Sequence, residues 1–150
     1  MGRELGRRLG VPFRDTDRMV LKRSGRTIAD LVAAGGWPLF RSEEQKVLAG
    51  LEGSGHMVIA TGGGIVESVE NRDRLKNMGT VIWLWASPEA IEERMSRDTK
   101  TGDQRPALSK EGGVGEIRAM LRRREPLYHE TADYMIDTSG MAVETVVDTI

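Results

Sequence analysis

Among the 150 residues there is no cysteine. That excludes disulfides and thiolate metal sites, and it fits a reducing, cytoplasmic setting. An excess of either charge is also lacking: 22 basic against 23 acidic residues give a formal net charge of −1. Such a balance supplies no overall field to gather nucleic acid or a membrane surface. No apolar run approaches the ~20 residues of a membrane span, and the charged N-terminal stretch does not read as a signal peptide. Repeats, low-complexity tracts and domain linkers are absent. With 39% hydrophobic and 30% charged residues, the chain reads as one globular domain over 1–150, large enough for a single core.

The stretch that organises the rest is Met57-Val58-Ile59-Ala60-Thr61 running into Gly62-Gly63-Gly64. A short apolar run closed by glycine reads as a strand buried on both faces. Three glycines at its carboxyl end either make a tight strand-to-helix turn or bare the backbone N–H groups to a ligand. Ligands collect at that end of strands in open α/β sheets.

The flanking segments alternate between helix and strand. Met1, Leu5 and Leu9 share one helical face, and Gly10 stops that helix. Phe13–Asp15 reads as a short strand ending at two carboxylates, Asp15 and Asp17, followed by a helix over 18–23. Thr27 and Asp30 form a capping box for a helix ending at Gly35-Gly36, and Pro38 opens a longer one to about Leu51. Helices are expected over 71–78, 88–97, 116–125 (stopped by Pro126) and 141–150. Val81–Trp85 and Tyr134–Asp137 complete the strands, and 98–115 reads as a polar, glycine-rich mobile loop. This alternation predicts an α/β fold, a parallel sheet with helices on both faces in three layers.

Six stretches, in order, resemble the shikimate kinase family: Pro12-Phe13-Arg14-Asp15-Thr16-Asp17, Gly25-Arg26-Thr27-Ile28-Ala29-Asp30, Phe40-Arg41-Ser42-Glu43-Glu44, Thr61-Gly62-Gly63-Gly64, Arg105-Pro106-Ala107-Leu108 and Arg124-Glu125-Pro126-Leu127-Tyr128. The resemblance implies ATP-dependent phosphorylation of the shikimate 3-hydroxyl, with Mg²⁺, on a P-loop fold like that of nucleoside-monophosphate kinases. It implies that Asp17 holds the reacting hydroxyl and that Asp15 lies on the Mg²⁺ side, acting through water; capping of the next helix is the alternative for both. Arg41 and Arg124 would clamp the substrate carboxylate, a task suited to the guanidinium fork. On residues alone, the run Arg122-Arg123-Arg124 reads as a solvated helix face. Glu44 would fix the clamp arginines, and Gly62, Gly63 and Gly64 would border the substrate. Arg105 would reach the transferring phosphoryl group from the loop, and Arg94 would lie beside adenine or on the surface. Trp83 and Trp85 read as core, and His56 and His129 suggest neither metal nor catalysis.

The chain departs from the family pattern in several places. No Gly-x-x-Gly-x-Gly-Lys-Ser/Thr phosphate loop is present, and Met1–Gly6 align with the helix that follows that loop. The expectation is therefore a sheet lacking its first central strand, with a gap between Met57–Thr61 and Val81–Trp85, a 150-residue polypeptide that transfers no phosphate and aggregates or packs loosely, and a monomer once strand and loop are supplied. Gly36-Trp37 replaces a usual Gly-Glu without evident consequence, Thr99–Gln104 lengthens the loop, and Ala107 replaces leucine. A non-catalytic shikimate-binding module and a gluconate kinase-like enzyme of the same fold are the alternatives.

Overall fold

The computed structural model describes residues 1–97 and 113–150. Four short strands and seven helices alternate along the described chain: α1 (Gly2–Leu9), β1 (Phe13–Asp15), α2 (Thr16–Ser24), α3 (Ile28–Ala49), β2 (Val58–Ala60), a 3₁₀ turn (Ile65–Glu67), α4 (Val69–Met78), β3 (Ile82–Trp85), α5 (Pro88–Arg97), α6 (Val114–Thr131), β4 (Tyr134–Asp137) and α7 (Val143–Thr149). β1 pairs in parallel with β2, Phe13 opposite Val58 and Asp15 opposite Ala60. β3 pairs in parallel with β4, Ile82 opposite Tyr134 and Trp85 opposite Asp137. The strands thus form two separate pairs, and no ladder joins β2 to β3 among the described residues, where the sequence predicts a gap.

The split bears on one departure from expectation, the burial of the strands. The central strands, expected to be buried on both faces, are only half-buried throughout β2, and Leu84 in β3 is 41% exposed. Parallel pairing alternates the side chains of β3 and β4 between two faces. Part of one face is covered by α6, where Trp83 packs on Tyr128 and meets His129 edge-on, while Met135 on that face stays exposed. Leu84 and Tyr134 on the other remain open.

Local signals place the helices. α1 ends on Gly10 in the left-handed region (φ 67°), and α2 is capped by the Asp15 carboxylate accepting from the Arg18 N–H at 3.1 Å. The Thr27–Asp30 capping box opens α3 as expected. Gly35 and Gly36 break its helical dihedrals ahead of Pro38, so the two expected helices are two arms of one kinked element. Pro126 does not stop α6, which continues to Thr131. A proline inside a helix costs about 3 kcal/mol. The turn beyond it packs Leu127 and Tyr128 against Leu48, Ile65 and Val66, and fully burying such side chains contributes about 1.5–3 kcal/mol each. That packing offsets the proline. Val114 and Gly115, expected in the loop, belong to α6, with Gly113 at its N-cap; residues 98–112 of that loop, with Arg105, lie outside the described residues.

The core has two parts. Val20, Ile28, Leu31, Phe40 and Val47 close α2 on α3, and Leu48, Ile65 and Val66 anchor the 3₁₀ turn against α4 and α6. Among the described residues no helix is long and apolar enough to cross a membrane.

Candidate active site

The triple glycine leaves the carboxyl end of β2 and is pinned by the 3₁₀ turn behind it, whose Ile65 and Val66 are buried. Three elements aim side chains at it. A β-carbon added to Gly62 would lie 3.1 Å from Asp17 Oδ1, in the first turn of α2, and 3.3 Å from Glu44 Oε1 of α3. One added to Gly63 would lie 2.8 Å from the Tyr128 hydroxyl and 4.0 Å from Arg124 Nη1, both on α6. One added to Gly64 would overlap the Arg41 guanidinium of α3. The glycines are required here because polar side chains press onto the backbone itself. They also order the site: Asp17 stands at the Gly62 end and Arg41 at the Gly64 end, with Arg124 and Tyr128 between.

Arg41 is held on all sides. Its Nη1 donates to Glu44 Oε2 at 2.7 Å, its Nε lies 3.6 Å from Glu67 Oε2, and its guanidinium carbon lies 5.6 Å and 5.2 Å from the ring centroids of Trp37 and Phe40. Trp37 therefore has a consequence that its sequence position hid: it places a cation–π partner under Arg41. Glu44 is fully buried, and its Oε1 makes no hydrogen bond among the described residues. Burial pushes its carboxyl above the usual glutamate range; Arg41 opposes the shift, while Asp17 and Glu67 add to it.

Arg124 is buried too, unlike its exposed neighbour Arg123. It shares a seven-residue stripe of α6 with buried Ile117 and Thr131, and that spacing, two helical turns, was the signal that separates it from a solvated face. Glu44 fixes Arg41, but it is Glu67 that bonds Arg124: Glu67 Oε1 accepts from Arg124 Nε at 2.9 Å and from Arg123 Nη2 at 2.7 Å. Glu67 had no signal in the sequence, because its bonded partner in α6 is 57 positions away. Burial alone would raise the Glu67 carboxyl, but Arg124, Arg41 and Arg123 together hold it below the usual range. The Tyr128 hydroxyl donates to the Gly63 carbonyl at 2.7 Å, and burial pushes its pKa up.

Asp17, Arg41, Glu44, Gly62–Gly64 and Arg124 thus converge. Asp15 is placed at the strand end, where its carboxylate caps α2 and faces Arg18 Nε at 3.9 Å. Among the described residues no group of three or more His, Asp or Glu could chelate a metal. Arg94 turns to the end of β4, where Nη1 donates to Thr138 Oγ1 at 3.0 Å and Nη2 to the Thr138 carbonyl. Chemically, two guanidinium groups at one end of a bare turn suit a carboxylate, and a carboxylate at the other suits a hydroxyl.

Comparison with known proteins agrees with that chemistry. The family model described as shikimate kinase matches residues 1–150. The shikimate kinase of Syntrophus aciditrophicus (strain SB) is 40% identical over 158 aligned positions, covering 100% of this chain and 81% of that protein. That of Symbiobacterium thermophilum is 42% identical over 147 positions, covering 98% and 83%. Among solved structures, shikimate kinase from Acinetobacter baumannii in complex with shikimate superposes with a TM-score of 0.88 at 33% identity, covering 99% of this chain and 80% of that one. Shikimate kinase from Aquifex aeolicus gives 0.79 at 32%, covering 99% and 83%.

Proposed function

This chain belongs to the shikimate kinase family, whose chemistry is the phosphorylation of shikimate, and on that premise we propose a role for each group around the triple glycine. Arg41 and Arg124 hold the shikimate carboxylate at the Gly63–Gly64 end, Glu44 fixes Arg41, and Gly62, Gly63 and Gly64 let the ring approach the backbone. Asp17, at the Gly62 end, holds the 3-hydroxyl. In the transfer, that oxygen forms a bond to the γ-phosphorus of ATP as the bond from phosphorus to the bridging oxygen breaks. ADP leaves, and the hydroxyl proton passes to the Asp17 carboxylate. A carboxylate in that position both orients the hydroxyl and accepts its proton as it becomes a nucleophile.

Asp15, already capping α2, would hold Mg²⁺ through one of the waters such an ion retains, and the ion would neutralise charge on the phosphates of ATP. Arg94 lies along the adenine side and Arg105 meets the transferring phosphoryl group. The cytoplasm and a monomeric state complete the reading. Its main support is the convergence of Arg41, Arg124 and Asp17 on opposite ends of one three-glycine turn. Titrating the nucleotide-free protein with shikimate while following backbone and arginine Nε signals by NMR tests it. The expected result is that Gly62–Gly64, Arg41 and Arg124 shift most; changes confined to another surface would overturn the assignment.

A further inference from the structure

Glu67 belongs to none of the roles above, yet it bonds Arg124 and Arg123 and lies against Arg41 as well. It is aimed there by an anchored backbone: Ile65 and Val66 are buried, and the Glu67 N–H donates to the Gly64 carbonyl at 3.1 Å. Its two oxygens divide the work, Oε1 toward Arg124 Nε at 2.9 Å and Oε2 toward Arg41 Nε at 3.6 Å. The charges therefore alternate along one line, Glu44 to Arg41 to Glu67 to Arg124.

The way the carboxylate meets each guanidinium matters. It takes the Nε edge of Arg124 and lies beside the Nε edge of Arg41 without a hydrogen bond to it, while Arg41 Nη2 lies over Gly64 and Arg124 Nη1, which donates to Met120 Sδ at 2.9 Å, passes near Gly63. Two arginines side by side repel, and an unbraced arginine must lose rotamer freedom on binding. A carboxylate between their inner edges removes both costs before any ligand arrives, which is the general basis of affinity by preorganisation.

We propose that Glu67 is a positioning residue that braces Arg41 and Arg124 as a preformed receptor for the substrate carboxylate. This rests on the reading that those two arginines hold that carboxylate. The brace also makes the site selective: it strengthens the binding of a carboxylate ligand and leaves a neutral ligand of the same shape unaffected. A general structural role for Glu67 would affect both alike.

The test is calorimetric titration of wild type, E67A, E67Q and R124A with shikimate and with its uncharged methyl ester, with a thermal melt of each variant. E67A is expected to bind shikimate about tenfold more weakly with its ester affinity unchanged. E67Q keeps an oxygen for Arg124 Nε but turns an amide N–H toward Arg41, so it should recover part of the loss. Unchanged or tighter shikimate binding by E67A, or equal losses for acid and ester, would overturn the brace; tighter binding would mean that Glu67 competes with the ligand. If E67A does not fold, E67Q carries the same test, with an equal effect on acid and ester as the overturning result. If R124A binds shikimate as wild type does, the clamp reading itself fails and the brace falls with it, a result distinct from failure of the Glu67 variants alone.

Discussion

The two ends of the glycine turn are built differently. At the Gly64 end, Arg41 is enclosed by Glu44, Glu67, Trp37 and Phe40, and Arg124 is buried on α6 with its Nε bonded. At the Gly62 end, Asp17 faces the bare backbone beside Glu44, and Asp15 is occupied in capping α2. On the proposed roles, the difference follows from what each end would meet. A substrate carboxylate carries a permanent charge, so donors fixed in advance gain affinity at no cost in rate. The reacting hydroxyl gains its charge only during transfer, so groups there act on a charge that does not yet exist.

Substitutions at the two ends should therefore separate in kind. The largest effect is expected from Asp17→Asn, which should lower any phosphate transfer by about 10²–10⁴ in kcat with KM nearly unchanged. Steady-state kinetics decide it, and a change confined to KM would erase the distinction between the ends. Arg41→Ala or Arg124→Ala should instead weaken shikimate binding by about 1.5–3 kcal/mol, roughly 10- to 150-fold, the worth of hydrogen bonds to a charged group; calorimetry reads it directly. Trp37→Ala removes one face of the Arg41 enclosure and should cost about 0.5–1 kcal/mol, roughly two- to fivefold in the same measurement.

The smallest expected effect concerns pH. Burial holds the Glu44 carboxyl above the usual glutamate range. A group whose pKa rises on folding contributes stability that is complete below its unfolded value and is lost as pH rises through its folded value. Glu67, shifted the opposite way, contributes stability above the usual range that is lost as pH falls through its folded value. Thermal melts across the weakly acidic range should therefore show wild type losing a small increment as pH rises just above the ordinary glutamate pKa. Glu44→Gln should remove that step, and an unchanged pH profile would show that Glu44 does not titrate there.

The clamp and the hydroxyl end were legible in the sequence to different depths. The order of strands and helices followed from the Gly10, Gly25 and Thr27–Asp30 signals, all local and all seen in the fold. Proline at 126 misled because a local breaker was outweighed by the packing of Leu127 and Tyr128 far along the chain. The gap between β2 and β3 was legible in the sequence and is seen among the described residues, but their partial burial was not, because short apolar runs do not say which partners cover a strand. Within the site, Asp17, Arg41, Glu44, Gly62–Gly64 and Arg124 lie together, whereas Asp15 caps α2 and Arg94 turns to Thr138. Glu67 and Trp37 escaped for a common reason: what makes each matter is an arginine placed beside it by tertiary packing.

The central claim is that the carboxylate end is complete in the nucleotide-free protein. Calorimetric titration of wild type and an Arg41→Ala/Arg124→Ala double variant with shikimate, without nucleotide, tests it most directly. The account predicts single-site binding to wild type and none detectable in the double variant, with both proteins folded by thermal melt. Equal affinity of the two proteins, or wild-type binding only after nucleotide is added, would contradict it.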